Sequence, residues 1–110
     1  MANGIKAERR AADYLLTQGL TLCERNFRCR AGEIDLVMRD GATLVFVEVR
    51  QRSSLKFGGA IASIDSRKQQ KIIVAAQFYL SGLSSYPPCR FDALLIEGDT
   101  INWLRDAFGA

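Results

Sequence analysis

Glu33, Asp35, Glu48 and Arg50 stand within the two apolar runs of the stretch from Gly32 to Arg50. Carboxylates brought together away from water repel each other and lose hydration, so something must compensate them. A proton, an arginine or a divalent metal ion can do so. A structural ion pair of Glu48 with an arginine is one solution. A metal is the preferred expectation, because perturbed carboxylates gather at functional sites. The chain has no histidine and only three cysteines, Cys23, Cys29 and Cys89, with no Cys-x-x-Cys pair. An ion would therefore sit among oxygens, which suits Mg²⁺ or Mn²⁺ and not a structural zinc. The missing histidine also removes Ser-His-Asp and Cys-His relays and any histidine general base. No Walker loop or dinucleotide glycine fingerprint is present.

A hairpin positions these groups. Asp40-Gly41 lies between two apolar runs, the strongest short-range signal for two antiparallel strands. The turn can take two residues, with Arg39 opposite Ala42, or four, with Arg39 opposite Leu44. Either register predicts Glu33, Asp35, Val37, Leu44, Phe46, Glu48 and Arg50 on one face, and Ile34, Leu36, Met38, Val45, Val47 and Val49 on the other. In the two-residue register Glu33 faces Glu48, with Asp35 diagonal to it. In the four-residue register Asp35 faces Glu48. The second run is almost unbroken Val, Leu and Phe, as in a strand buried on both sides.

Helices must cover that sheet. Asn3 can cap a helix from about Gly4 to Gln18, stopped by Gly19, whose inward line is Ile5, Ala12, Leu15 and Leu16. Glu8 falls on this line, while Arg9, Arg10 and Asp13 face outward. Glu8 is either a further member of the acidic site or a glutamate that slips sideways to solvent or to a buried cation. Thr21–Arg30 reads as an edge strand with interleaved charges. Arg25, Arg28 and Arg30 either wall a phosphate groove or simply keep that edge soluble. After Arg50, residues 51–60 have loop composition and carry Arg52 and Lys56. A second helix runs from about Ser66 to Leu80, capped by Asp65 or Ser66, with Ser66 to Gln69 fitting a capping box. Ile72, Ile73, Ala76, Tyr79 and Leu80 form its packing stripe. Arg67, Lys68 and Lys71 in its first turns oppose the helix dipole, so they form either an anion site or a solvated basic face. Arg90–Glu97 then reads as a buried strand, and Thr100–Leu104 as a final short one with Trp103 in the core. The order is α, three strands, α, then one or two strands. This predicts a mixed sheet flanked by helices, with the third and fourth strands parallel across the second helix.

The 110 residues suit a single domain. Fifteen basic and twelve acidic residues leave a net charge of +3, which permits an anionic partner without demanding one. Neither a membrane-spanning run nor a signal-peptide core is found, so a cytoplasmic location is expected. The cysteines read as reduced packing residues.

Gly32-Glu33-Ile34-Asp35-Leu36, a hairpin turn, then Val47-Glu48-Val49-Arg50 resembles the PD-(D/E)XK nuclease core, which carries an Asp on one strand and Glu-x-Lys on the next. With its small size, N-terminal helix and Phe91-Asp92 strand, the chain resembles the YraN family of small bacterial proteins along nearly its whole length. The resemblance implies a restriction endonuclease-like α/β fold of order αβββαβ(β). It implies metal-dependent hydrolysis of phosphodiester bonds in DNA, with branched or single-stranded substrates favoured. Asp35 and Glu48 match the metal carboxylates, and Glu8 matches the helix glutamate of resolvase-like members, so Mg²⁺ or Mn²⁺ would sit among these three. Arg50 stands where the lysine belongs, and a guanidinium can clamp phosphate but not exchange a proton. Lys68 or Lys71 is a candidate for the displaced lysine. Arg28, Arg30, Arg52, Lys56, Arg67, Lys68 and Lys71 would hold the nucleic-acid backbone without reading bases. The alternative is a nucleic-acid-binding module that has lost turnover and acts beside a DNA-processing partner.

Overall fold

The computed structural model describes residues 2–52 and 64–109, giving the backbone alone for residues 2–4 and 52. Its elements are α1 (Ala2–Thr17), β1 (Thr21–Cys29), β2 (Gly32–Asp40), β3 (Thr43–Arg52), α2 (Ser66–Ser81), β4 (Cys89–Glu97) and β5 (Thr100–Phe108). The five strands form one sheet in sequence order, antiparallel except for the parallel pair β3–β4 that α2 bridges. The predicted mixed α/β architecture is therefore the observed one. Lys56 lies outside the described residues, as does most of the segment between β3 and α2. The final strand is nine residues long, not five.

Each helix covers one face of the sheet. Under α2, Val37, Leu44 and Phe46 pack with Ile72, Ile73, Ala75 and Ala76. Under α1, Leu36, Met38, Val45 and Val47 pack with Ala7, Ala11, Ala12 and Leu15. A buried Leu15→Ala change would remove about 2–5 kcal/mol of stability, through lost transfer energy and the cavity left behind. The inward line of α1 is narrower than its sequence suggests, because Ile5 and Leu16 are exposed and the small alanines make the contact. Arg10, expected outside, reaches across to donate to the Gly98 carbonyl at 2.9 Å and ties α1 to the β4–β5 turn. Cys23 and Cys89 are exposed, so only Cys29 packs against the core.

The hairpin closes with Arg39 opposite Leu44 and Asp40 opposite Thr43, leaving Gly41-Ala42 as the turn. This is the register that aligns Asp35 with Glu48. Gly41 sits at φ +61°, a left-handed conformation that glycine adopts without strain. The turn is thus displaced by one residue from the predicted Asp40-Gly41 pair.

Asp65 provides the α2 cap, its Oδ1 accepting the Lys68 backbone N–H at 2.8 Å. Gln69 does not close a capping box but donates instead to the Ile64 carbonyl at 2.9 Å. Both bonds fix the first turn of α2, and with it the root of the Lys68 side chain. Among the described residues, no helix is long and apolar enough to cross a membrane.

Candidate metal centre

The site is made by a local break in strand geometry. Regular alternation would place Ile34, Leu36 and Met38 on one face. Instead Leu36 and Met38 lie under α1, while Ile34 lies under α2 with Val37, correcting the predicted face of Ile34. The partner strand changes face at the same place, since Phe27, opposite Ile34, packs against the α2 cluster whereas Arg25, two residues earlier, pairs with Leu36 of the α1 side. Between the pairs Arg25–Leu36 and Phe27–Ile34 stand Asn26 and Asp35, outside the ladder, with Asn26 at φ +52°. One left-handed residue on an edge strand thus breaks the alternation, as bulges do where a side chain is re-aimed.

The break brings carboxylates together. Glu33 turns to the α1 side, where one oxygen from each of Glu8, Glu33 and Asp35 lies within 4.8 Å of the others. On the other side of Asp35 the strands β2 and β3 part: their last ladder pair is Leu36–Val47. Asp35 fills the gap by accepting the Val49 N–H on its Oδ2 at 2.8 Å. Glu48, only 3% exposed, sits across this opening.

Cations guard the two ends. Arg50 Nη2 approaches Glu48 Oε2 at 3.0 Å and Lys68 Nζ approaches the same oxygen at 3.7 Å. The expected alternative of a Glu48–arginine pair is therefore present, but it occupies one oxygen. Glu48 Oε1 is buried and has no hydrogen-bond donor. Its acidic neighbour, Asp35, can bond to it only by sharing a proton. At the other end Arg28, itself well exposed, donates to Glu33 Oε2 at 2.6 Å. Among the described residues no ion pair reaches Glu8 or Asp35.

The electrostatics follow from burial first. Removal from water pushes Glu48 up to about 8, with the Asp35 charge adding to the rise and Lys68 and Arg50 opposing it. Asp35 is raised chiefly by burial, against the pull of the Val49 N–H. Glu8 is raised by burial and then by Asp35, while Asn26 holds it down as a hydrogen-bond donor. Mutual repulsion of this kind disappears when a cation enters.

The structure thus brings Glu8 and Asp35 together with Glu33, which the sequence reading placed on the strand but not in the metal set. Glu48 stands outside that trio, joined to it through Asp35 and paired with Arg50. Lys68 also pairs with Glu48. Arg28 is tied to Glu33 and is not a free rim cation. Arg30, Arg67 and Lys71 are exposed, and none pairs with a carboxylate of the cluster. The β1–β2 turn meets α2 directly, since a Cβ on Gly32 would lie 3.5 Å from that of Lys71. Arg52 pairs through its backbone with Glu97 on β4.

Fold and site together define a small α/β protein in which a carboxylate cluster opens between two central strands beneath a basic helix turn. The sequence model described as "Uncharacterised protein family UPF0102" matches residues 7–96. The chain belongs to this family, the YraN family. It is 55% identical to a UPF0102 protein of Janthinobacterium sp. (strain Marseille), over 97% of this chain and 87% of the relative. A UPF0102 protein of Methylobacillus flagellatus is 54% identical over 97% of this chain and 96% of its own length. One from Nitrosomonas europaea is 56% identical over 96% and 92%.

Proposed function

We propose that this protein is a metal-dependent nuclease that hydrolyses phosphodiester bonds in DNA, with Mg²⁺ or Mn²⁺ held by Asp35, Glu48 and Glu8, together with Glu33. The observation that carries the reading is the orphaned Glu48 Oε1, offered no donor and neighboured by Asp35, which itself shares a cluster with Glu8 and Glu33. A buried acceptor without a partner costs about 1–3 kcal/mol, more if charged, and a bound cation removes that cost. The donor set is all oxygen, as these two ions prefer. When bound, such an ion acidifies water and neutralises charge developing on a phosphoryl group.

The chain's own residues divide the remaining work. Asp35 is aimed by the Val49 N–H, so its free oxygen is fixed relative to β3. Arg50 keeps its charge at every relevant pH and stabilises negative charge on a phosphate without exchanging protons. Lys68, held over Glu48 by the capped first turn of α2, places a second positive charge there. Arg30, Arg67 and Lys71, with Arg52 at the end of β3 and Lys56 after it in the sequence, hold the nucleic-acid backbone. Binding of that kind depends on salt and on shape more than on sequence.

A second reading has its own support. Arg50 stands where a lysine would serve, and it is engaged with Glu48 at 3.0 Å. A protein that binds DNA and a metal without turnover, acting with a DNA-processing partner, fits that arrangement. Incubating the purified protein with junction, flap and single-stranded DNA, with Mg²⁺ or Mn²⁺ or with EDTA, separates the two. Metal-dependent cleavage lost in Asp35→Ala and Glu48→Ala supports the nuclease. Binding without cleavage in the wild type supports the module, and cleavage surviving both substitutions contradicts the site.

A further inference from the structure

Arg28 and Glu33 face each other across the β1–β2 ladder, one step from its closing pair Cys29–Gly32. Arg28 Nε donates to Glu33 Oε2 at 2.6 Å, and among the described residues no other side-chain hydrogen bond reaches either group. The pair does little for the fold, because the Arg28 side chain is 76% exposed and exposed ion pairs contribute little. It is well placed to aim a carboxylate. Glu33 shares with Glu8 and Asp35 the group in which one oxygen of each lies within 4.8 Å of the others. Beyond Asp35, the enclosed Glu48 has an oxygen with no donor, an independent sign that this opening takes a ligand.

We infer that Arg28 is a positioning residue of the carboxylate centre: its Nε holds one Glu33 oxygen, so that the carboxylate stays turned towards Glu8 and Asp35 for a shared divalent cation. The inference rests on the metal-site reading proposed above. It adds a residue that the metal-ligand set does not contain, acting through Glu33 and not on the ion. Removing the hydrogen-bond partner of a metal ligand characteristically costs about 10–100-fold in affinity, because the partner fixes the ligand's orientation.

Two opposed effects must be separated. Deleting the guanidinium frees Glu33 to rotate, which weakens binding, but it also removes a positive charge near a cation, which strengthens it. Glutamine carries its amide nitrogen as many bonds from Cα as arginine carries Nε, and methionine has the same length with no donor. Arg28→Gln and Arg28→Met therefore lose the same charge and differ in the hydrogen bond to Glu33.

The test is a Mn²⁺ titration of the full chain, followed by loss of the free-ion electron paramagnetic resonance signal, beside thermal unfolding in EDTA. The expected result is that R28Q and R28M melt together in EDTA, yet R28M binds Mn²⁺ about tenfold more weakly than R28Q. In an E33Q background, where Glu8, Asp35 and Glu48 still offer ligands, that difference disappears. Equal Mn²⁺ affinity in R28Q and R28M overturns the inference while leaving the metal site standing. A tenfold difference that persists undiminished in the E33Q background also overturns it, since Arg28 then does not act through Glu33. A wild type that binds no Mn²⁺ removes the site and the inference together.

Discussion

Two buried carboxylates on adjacent central strands make opposite use of their burial. Asp92 on β4 is fully enclosed, and every direction around it is taken. Its oxygens accept from Arg90 Nε at 3.0 Å and Nη2 at 3.1 Å, from Trp103 Nε1 at 2.9 Å and from the Asp106 N–H at 2.9 Å. Arg90 continues to Asp40 at the β2–β3 turn, 3.0 Å away. Glu48 on β3 is almost as enclosed but has cations on one oxygen and nothing on the other. The same charge in the same layer is thus a completed structural joint in one place and an incomplete coordination shell in the other. The number of donors, not the depth of burial, separates a fold-holding carboxylate from one held in reserve for a ligand.

The sharpest way to break this comparison is by activity. Asp35→Ala or Glu48→Ala is expected to lower metal-dependent cleavage by about 10²–10³-fold, the scale of losing one group that stabilises developing charge. Asp92→Asn is expected to leave the cleavage chemistry intact when assayed well below its melting temperature. Next comes stability. Removing Asp92 strands Arg90 and Trp103 Nε1, and urea unfolding of Asp92→Ala should show a loss of about 3 kcal/mol, towards the lower end for a broken buried pair because Arg90 stays partly exposed. Glu48→Gln in EDTA should be neutral or stabilising, since it keeps an acceptor for Arg50 and Lys68 and removes a carboxylate whose charged form burial and Asp35 disfavour. Equal losses at the two positions would abolish the distinction.

A smaller, signed effect is expected with pH. The Glu48 carboxyl, raised from 4.5 to about 8 in the fold, favours the protonated folded state. Its contribution is complete below about 4.5 and is lost as pH rises through 8, so metal-free protein should lose stability across that window. Calorimetric melts of wild type in EDTA should decline from pH 5 to 8, those of Glu48→Gln should decline less, and Mn²⁺ should restore the wild type most at the alkaline end. The smallest effect belongs to Arg28→Ala. This exposed guanidinium should contribute at most about 1 kcal/mol through Glu33, even though the pair is short.

The period-two pattern and the Asp-Gly turn made the hairpin legible from sequence, and the long apolar run made β3 legible as a buried strand. They also fixed Asp35 and Glu48 as neighbours up to a choice of register. They could not show the face change at Asn26 and Asp35, because a left-handed asparagine leaves no periodic trace. That break moved Ile34 to the α2 side and gave Glu33 its place beside Glu8. Likewise, Lys68 looked like one of three helix cations until the Asp65 cap set its rotation and placed it over Glu48. The Asp92 network joins residues distant in sequence, and Arg90, Asp92, Trp103 and Asp106 separately read as ordinary strand residues. Ile5 and Leu16 misled in the other direction, since helix phase alone does not reveal where the sheet ends beneath α1.

The central claim is that the opening between β2 and β3 is built for a divalent cation. A crystal soaked in Mn²⁺ and measured for anomalous scattering tests it most directly. The expected result is a strong peak about 2 Å from an oxygen of Asp35, with Glu48 Oε1 or the Glu8 and Glu33 carboxylates completing the contacts. No peak in that opening, with Glu48 still turned only towards Arg50 and Lys68, would contradict it.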